Sequence, residues 1–512
     1  MGRHDTCPYI FSKMAEHQIP IEQAQENLLA CAAFLAENIK SSDGHAEAMK
    51  EIVSRYLEKA DVDISAELAN SVDDPFTRDR LLMLVAKKCA AIGDDEYAFQ
   101  LVEAIEDNST QMQAQEHIAV QKSVAGDYKK AFEIAATLSH ADFVYADIAV
   151  YQAESGDEIN ALNTLEKVNF PNAKTSAFQN IALFNLRNDE TAKAIQLLEN
   201  ALVSAEEIEF AEEKVRALND IGSYFIEANQ KDRAIETFDK AKITAERIDG
   251  THRDSLLANV ALGFLQAGSL DLADRTLDLV ADKTQMTVTL VGFAREFWQG
   301  GERDEALETL EEGYAILKSQ RDSEIRDSRA RFGLWGTIAV EFARFEKAER
   351  AIEIAQEVLD ENSQTYALSQ IAQICTLQNK DDFARQAAGS IGDDAQKMFA
   401  LIGISDAHNK IEKKDEALKF LREAETLSET VPQLASRSVA LNELAKRFYD
   451  YGDAQKAREL LHENLETVSN IRDESSRSVA LAQLSDYYEQ FEFNVTEAEK
   501  EILQTMIRKA EW

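Results

Sequence analysis

Proline, glycine and cysteine are all scarce in this chain of 512 residues. Its 5 prolines and 19 glycines are too few for a β-rich protein, because every hairpin needs turn-forming residues. Alanine, glutamate, leucine, lysine and glutamine recur throughout instead, and these residues favour helices. The composition therefore predicts an all-α fold, and a hydrophobic fraction of 45% is enough for a continuous core.

The cysteine content also indicates the cellular compartment of the protein. Cys7, Cys31, Cys89 and Cys375 lie far apart and no CxxC motif occurs, which disfavours a disulfide framework and indicates a reducing compartment. The apolar run from Leu28 to Ala36 is too short to span a bilayer. The preceding residues lack a signal-peptide pattern. We therefore expect a cytoplasmic protein without a membrane anchor.

Basic residues are far fewer than acidic residues in this chain. The chain has 55 Lys and Arg against 93 Asp and Glu, for a formal net charge of −38. Such a surface repels phosphate backbones and anionic membranes, so neither nucleic acid nor a membrane is an expected partner. Three interpretations of the acidity stay open: a solvated surface that maintains solubility, a basic partner, or a high-salt cytoplasm.

Motifs for catalysis or metal binding are missing as well. The pair His462-Glu463 suggests a zinc-protease helix, but Glu466 stands where the second histidine would be needed. The eight histidines are scattered, and the sequence has no GxGxxG, Walker A or GxSxG motif. The sequence thus predicts no catalytic residue, no metal site and no cofactor.

The strongest positive signal is an internal repeat. A turn residue followed five positions later by alanine recurs eleven times; the turn residue is glycine in six copies, as in Gly93 before Ala98, and another residue in five, including Asn229 and Ala343. The anchor alanines are Ala98, Ala131, Ala161, Ala194, Ala234, Ala273, Ala306, Ala348, Ala384, Ala417 and Ala457. Their mean spacing of about 36 residues lies within the range of helical-hairpin repeats.

Residue size also repeats at positions that were not used to choose the anchor alanines. Twelve residues before every anchor (position −12) the side chain is small, and at −13 it is large and apolar. Positions −16, −13 and −12 share one face of a first helix, so the large residues fill the groove and the small one admits the second helix. A glycine or asparagine at the turn ends the first helix in a left-handed conformation. One hairpin cannot cover its own apolar faces, so hairpins must stack.

This combination resembles the tetratricopeptide (TPR) repeat. The resemblance implies a right-handed α-solenoid, a superhelix of about eleven to thirteen antiparallel hairpins. We expect a loosely ordered N-terminus over 1–19, a capping helix and degenerate hairpin over 20–72, repeats over 73–474, and a C-terminal half-unit with a capping helix over 475–512. The proline that closes many TPR units is mostly missing, so a related hairpin solenoid remains an alternative.

In TPR proteins the first helices line the concave surface, and the resemblance places positions −18, −15, −11 and −8 on it. Exposed aromatic residues, and arginine beside asparagine, are typical of binding hot spots. The partner-binding candidates are Arg216, Asn219, Arg295, Trp298, Tyr366, Phe399, Asn442, Lys446 and Tyr449. Aromatic residues at helical spacing also pack between repeats, so that interpretation stays open for each of them.

The resemblance points to a protein-interaction scaffold or adaptor that binds a peptide or helix of an unidentified partner protein. TPR domains that clamp chaperone tails use lysine at −15 and asparagine at −11. None of the eleven repeats has either residue at its position, so no such carboxylate clamp is expected. Two alternatives remain: a regulatory sensor that binds a small ligand or signal peptide in the groove, and an enzyme whose site is assembled from distant repeats.

Overall fold

The computed structural model describes residues 17–250, 252–319 and 328–510. Within these ranges every regular element is a helix, 28 in total, which confirms the predicted all-α fold. Cys7 and most of the N-terminus that we expected to be loosely ordered lie outside the described residues, as do the last two residues of the chain. The described cysteines Cys31, Cys89 and Cys375 are buried and free.

The helices form two compact units. The first unit combines the residues up to Gln111 with those from Val431 onward. Its helices are α1 (Ile21–Ala24), α2 (Leu28–Glu37), α3 (Ser42–Glu58), α4 (Val62–Asn70), α5 (Pro75–Ile92), α6 (Asp95–Ala104), α25 (Leu434–Asp450), α26 (Ala454–Ser469), α27 (Glu474–Gln490) and α28 (Glu497–Ala510).

The second unit runs from Met112 to Thr430 and contains most of α7. Its helices are α7 (Asn108–Val124), α8 (Tyr128–Ala135), α9 (Asp142–Glu154), α10 (Glu158–Leu165), α11 (Pro171–Arg187), α12 (Thr191–Glu206), α13 (Ala211–Glu227), α14 (Lys231–Ala245), α15 (His252–Gln266), α16 (Leu270–Leu277), α17 (Lys283–Gly300), α18 (Arg303–Ser319), α19 (Ser328–Arg344), α20 (Ala348–Gln356), α21 (Glu361–Leu377), α22 (Asp381–Gly389), α23 (Asp394–Lys410) and α24 (Lys414–Ser428).

The second unit is a stack of helical hairpins. From α9 to α24, each first helix packs against the second helix of its own hairpin and against the next first helix. The small residues at −12 are buried, as the steric argument requires. In eight of the nine hairpins of this unit they are Ala119, Ala149, Ala182, Gly222, Ala261, Ala294, Ala372 and Ser405.

The turn inside each hairpin ends one helix and begins the next. Gly156 has a φ of 89°, a left-handed conformation that glycine adopts without steric penalty. The following Asp157 then caps α10, because its carboxylate accepts a hydrogen bond from the backbone N–H of Asn160 at 3.4 Å. The same aspartate cap recurs in the other Gly-Asp turns, at Asp94, Asp127 and Asp453.

One repeat register was predicted wrongly. The sequence pattern placed a turn at Ala343 and its anchor at Ala348, but Ala343 lies inside α19. The left-handed residue is Glu346, with a φ of 63°, and the anchor five positions later is the buried Ala351. Glutamate rarely adopts a positive φ, so composition gave no signal for this turn.

The two ends of the chain pack together in the first unit. Helix α2 contacts α3, α27 and α28, and α3 contacts α27. Every residue from Leu28 to Ala36 is buried, so the apolar run noted in the sequence is a core helix. Arg55 on α3 forms an ion pair with Asp486 on α27 at 3.0 Å. No helix among the described residues combines the length and apolarity that crossing a bilayer requires.

Candidate interaction face of the first helices

The first helices of the second unit present some side chains outward at regular positions. At −18 lie Phe143, Arg216 and Tyr366, all of them exposed. The rings of Phe143 and Tyr366 are 58% and 65% exposed, and Val288 at the same position is also exposed. The −18 positions therefore form a row that offers apolar and aromatic surface to a partner.

The side chains at −15 are mostly buried, unlike those at −18. Ala146, Ala258, Val291 and Ile402 occupy this position on four first helices and are all buried. They pack between neighbouring helices of the stack, so most of this position cannot contact a partner.

Acidic and tyrosine side chains share the outward face on two of these helices. Asp147 and Tyr151 are four residues apart on α9, and Asp220 and Tyr224 are four residues apart on α13, so each pair lies on one helix face. The aspartates occupy position −14 and the tyrosines −10. No described residue forms an ion pair or hydrogen bond with the side chain of Asp147 or Asp220. Desolvation raises the pKa of both carboxyl groups.

Desolvation also raises the pKa of the tyrosine in each pair. Desolvation, followed by the charges of Asp147 and Glu154, raises the pKa of Tyr151. Desolvation and Asp220 likewise raise the pKa of Tyr224. The face thus carries exposed carboxylates beside half-buried tyrosine rings.

Two of the predicted binding residues are occupied by contacts within the chain. Arg295 forms an ion pair with the buried Glu341 at 2.6 Å. The Trp298 ring stacks on Phe345, with 4.4 Å between ring centroids and 10° between planes. Arg303 lies 3.7 Å from the Trp298 centroid.

Four other predicted residues of the second unit are distributed along its first helices. Arg216 is exposed on α13 without an ion-pair partner among the described residues, and Asn219 lies one turn further on. The side-chain oxygen of Asn219 is buried and has no hydrogen-bond partner. Tyr366 on α21 is exposed and Phe399 on α23 is half-buried.

The last three predicted residues lie on α25, in the first unit. Asn442 is only 2% exposed, and its side-chain oxygen accepts a hydrogen bond from Asn464 at 2.7 Å. The Tyr449 ring stacks on Phe491, with centroids 4.0 Å apart. Lys446 is half-buried. The predicted residues are therefore divided between the two units.

The aspartate–tyrosine pairs are not among the binding residues predicted from the sequence. An available signal was their shared register, because Asp147 and Asp220 both lie fourteen residues before an anchor alanine and each is followed by tyrosine four residues later. Among the described residues, no group of three or more His, Cys, Asp or Glu side chains could hold a metal ion.

No protein-family model matches this chain, and no curated protein sequence is significantly similar to it. Solved structures do align with it. Ton1535 from Thermococcus onnurineus NA1 is 14% identical over 70% of this chain and 98% of its own, with a TM-score of 0.26. The apo form of RapI is 14% identical over 70% of this chain and 96% of its own, with a TM-score of 0.30.

The apo form of the quorum sensor NprR from B. thuringiensis is 13% identical over 70% of this chain and 99% of its own, with a TM-score of 0.26. Such low TM-scores carry no inference about function. The fold follows from the chain's own hairpins, with their buried small residues and left-handed turns.

The chain is a helical-repeat protein whose hairpins resemble the TPR unit. In a TPR-like stack, a residue on the outer face of a first helix can contact a partner without disturbing the hairpin core. Asp147, Tyr151, Asp220 and Tyr224 occupy such positions.

Proposed function

We propose that this TPR-like protein is an interaction scaffold whose first helices bind a cationic peptide or amphipathic helix of a partner protein. The observation that supports this is the state of Asp147 and Asp220. Both carboxylates stand at exposed positions on first helices, desolvation raises the pKa of each, and neither is paired with a described residue. A partner that supplies positive charge would stabilise both.

The neighbouring tyrosines suit the same partner. A lysine or arginine can donate charge-assisted hydrogen bonds to a carboxylate while its methylene stem lies along an aromatic ring. A cation above the face of Tyr151 or Tyr224 also gains a cation–π attraction. Each aspartate–tyrosine pair therefore offers the two kinds of contact that a basic side chain uses.

The exposed row at −18 supplies apolar anchors. Phe143, Val288 and Tyr366 expose large apolar groups on the first helices of the second unit. An amphipathic helix that carries both lysines and leucines matches a face with carboxylates and apolar side chains. We include Arg216 and Phe399 in the proposed face, because neither makes an ion pair or ring contact with a described residue. The proposal assigns no reaction to the chain.

The proposal is tested by peptide binding. A fluorescent amphipathic helix of leucine and lysine should bind the full chain, and the same peptide with glutamate for lysine should not. The double variant Asp147→Asn/Asp220→Asn should weaken binding about tenfold, since it removes two charge-assisted contacts. Fluorescence anisotropy gives both dissociation constants.

The matched control is Glu236→Gln/Asp239→Asn. It removes the same number of charges from exposed positions on α14, the second helix paired with α13. Its affinity should stay within about twofold of the parent. Equal weakening by both double variants would show that total charge attracts the peptide, and the proposed face would then be abandoned.

A further inference from the structure

The first unit contains a polar cavity of about 440 Å³. It lies where residues 17 and 18, the end of α2, the start of α3 and the end of α4 come together. A cavity of this size is within the range of small-molecule sites. Among the residues that line it are Glu37, Asn38, Lys40, Ser42, His45 and Asp73.

Glu37 is a largely buried carboxyl group in the cavity wall. Its side chain is only 7% exposed. One oxygen accepts a hydrogen bond from the backbone N–H of Gln18 at 3.1 Å, and the other lies 3.0 Å from Nδ1 of His17. The backbone N–H of Ile19 is a third donor to this carboxylate. A carboxylate offers about four lone-pair sites, so these three contacts leave about one of them unused.

His45 is the second buried group of the wall. It is 8% exposed, and no described residue hydrogen-bonds its ring. Neither ring nitrogen is sealed from solvent, so the ring can exchange hydrogen bonds with a molecule in the cavity. Burial lowers the pKa of His45, so its ring is neutral at pH 8 and carries a nitrogen lone pair.

Two carboxylates and one lysine side chain line the cavity, so acidic groups outnumber lysines there. Asp73 contributes a second carboxylate at the rim, and Glu67 is close enough to raise the pKa of Glu37, although desolvation is the larger cause. Desolvation brings the pKa of Glu37 to about 7, so this group is mostly ionised at pH 8. The side chain of Lys40 supplies positive charge at the rim.

We propose that this cavity binds the ammonium group of a small primary amine, with Glu37, His45 and Asp73 as acceptors. An ammonium has three N–H donors, and the wall offers two carboxylates and one imidazole nitrogen. An anion would meet the carboxylates unfavourably.

The experiment is isothermal titration of the full chain with n-butylammonium chloride in phosphate buffer at pH 8. We expect saturable binding with a dissociation constant of about 1–10 mM, as is typical for a very small ligand. Tetramethylammonium, which has the charge but no N–H donor, should bind at least about tenfold more weakly.

Three variants test which residues form the site. Glu37→Gln and His45→Phe should each weaken n-butylammonium binding at least about tenfold. Asp73→Asn, at the rim, tests the site even if a buried substitution disturbs folding. Asp43→Asn is the control, because Asp43 is an exposed acid on α3 that does not line the cavity.

The outcomes separate clearly. No saturable binding, equal affinity for the two cations, or equal loss in Asp43→Asn and Asp73→Asn would each overturn the proposal. Because the cavity lies in the first unit and the aspartate–tyrosine pairs in the second, these results do not depend on the peptide-binding proposal.

Discussion

The ring of Phe238 lies directly against the backbone of Gly222. A Cβ atom added to Gly222 would come within 2.5 Å of Cε1 of that ring. A Cβ added to Gly263 would meet the same atom at 2.5 Å. The phenylalanine of α14 therefore fills a slot that exists only because α13 and α15 each present a glycine there.

This contact determines whether replacing Gly222 by alanine stabilises or destabilises the protein. Gly222→Ala should destabilise the protein by about 1–3 kcal/mol, because the added methyl group overlaps the Phe238 ring in a packed core. In an open helix the same change is stabilising by about 0.5–1 kcal/mol. Denaturant unfolding with amide exchange of α13 to α15 measures the effect.

The control for that prediction is Gly333→Ala on α19. A Cβ at Gly333 meets nothing within 4 Å, so stability should rise or stay unchanged. A Gly222→Ala variant as stable as the parent would mean that the Phe238 ring moves freely, contrary to the packing described.

Truncation of Trp298 should destabilise the protein much more than truncation of Tyr366. Trp298→Ala removes the stack on Phe345 and the cation–π contact of Arg303, and we expect it to lower the free energy of unfolding by about 2 kcal/mol. Tyr366→Ala should change it by less than about 0.5 kcal/mol, because that ring is exposed. Thermal and urea unfolding distinguish the two. Comparable losses would show that Tyr366 is a packing residue.

Glu499 should be important for the C-terminal helix. This buried carboxylate accepts hydrogen bonds from Arg458 at 2.6 Å, Tyr488 at 2.7 Å and the backbone N–H of Thr496 at 2.8 Å. Desolvation alone would raise its pKa, but these hydrogen bonds and the Arg458 charge outweigh it, so the pKa is lowered.

Glu499→Gln should therefore cost about 2–4 kcal/mol and speed amide exchange in α28, since Arg458 loses its buried partner. Because the folded pKa lies below the unfolded one, the stabilisation is present above the unfolded value near 4.5 and is lost as the pH falls through the folded value. The difference between parent and variant should thus shrink in acid. A difference independent of pH would contradict this.

The contribution of Glu37 to folding stability should change with pH in the opposite direction to that of Glu499. Burial raises its pKa from an ordinary 4.5 to about 7, so the folded state binds more protons than the unfolded state between these values. Stability consequently falls as the pH rises from about 4.5 to about 7, by on the order of 2 kcal/mol. In Glu37→Gln this contribution should disappear. Unfolding midpoints of parent and variant across that pH range measure it, and parallel profiles would show that Glu37 is not the titrating group.

Much of the hairpin architecture could be predicted from the residues alone, because its rules are local. The large Val260 and the small Ala261 are adjacent in sequence. In a helix of 3.6 residues per turn they share one broad face, so they meet the neighbouring helices together. Where the local signal failed, at Ala343, the actual turn uses Glu346, a residue with no preference for a left-handed conformation.

The candidate face was harder to predict. Register identified Trp298 and Asn442 as outward candidates, but the ring of Phe345 and the amide of Asn464 occupy them. Conversely, Asp147 was not singled out by the pattern, and only the structure shows an exposed carboxylate without a partner among the described residues. Such properties depend on which side chains of other helices approach, and a single helix pattern does not contain that information.

The sequence by itself determined that the chain would fold as repeated helical hairpins, since the spacing of small and large side chains acts within about 36 residues. Only the tertiary structure decided what the N-terminal helices pack against. Arg55 and Asp486 are 431 positions apart, and no periodicity along the chain specifies that pairing. It arises because the apolar run of α2 must be buried, and α27 and α28 provide surface that buries it.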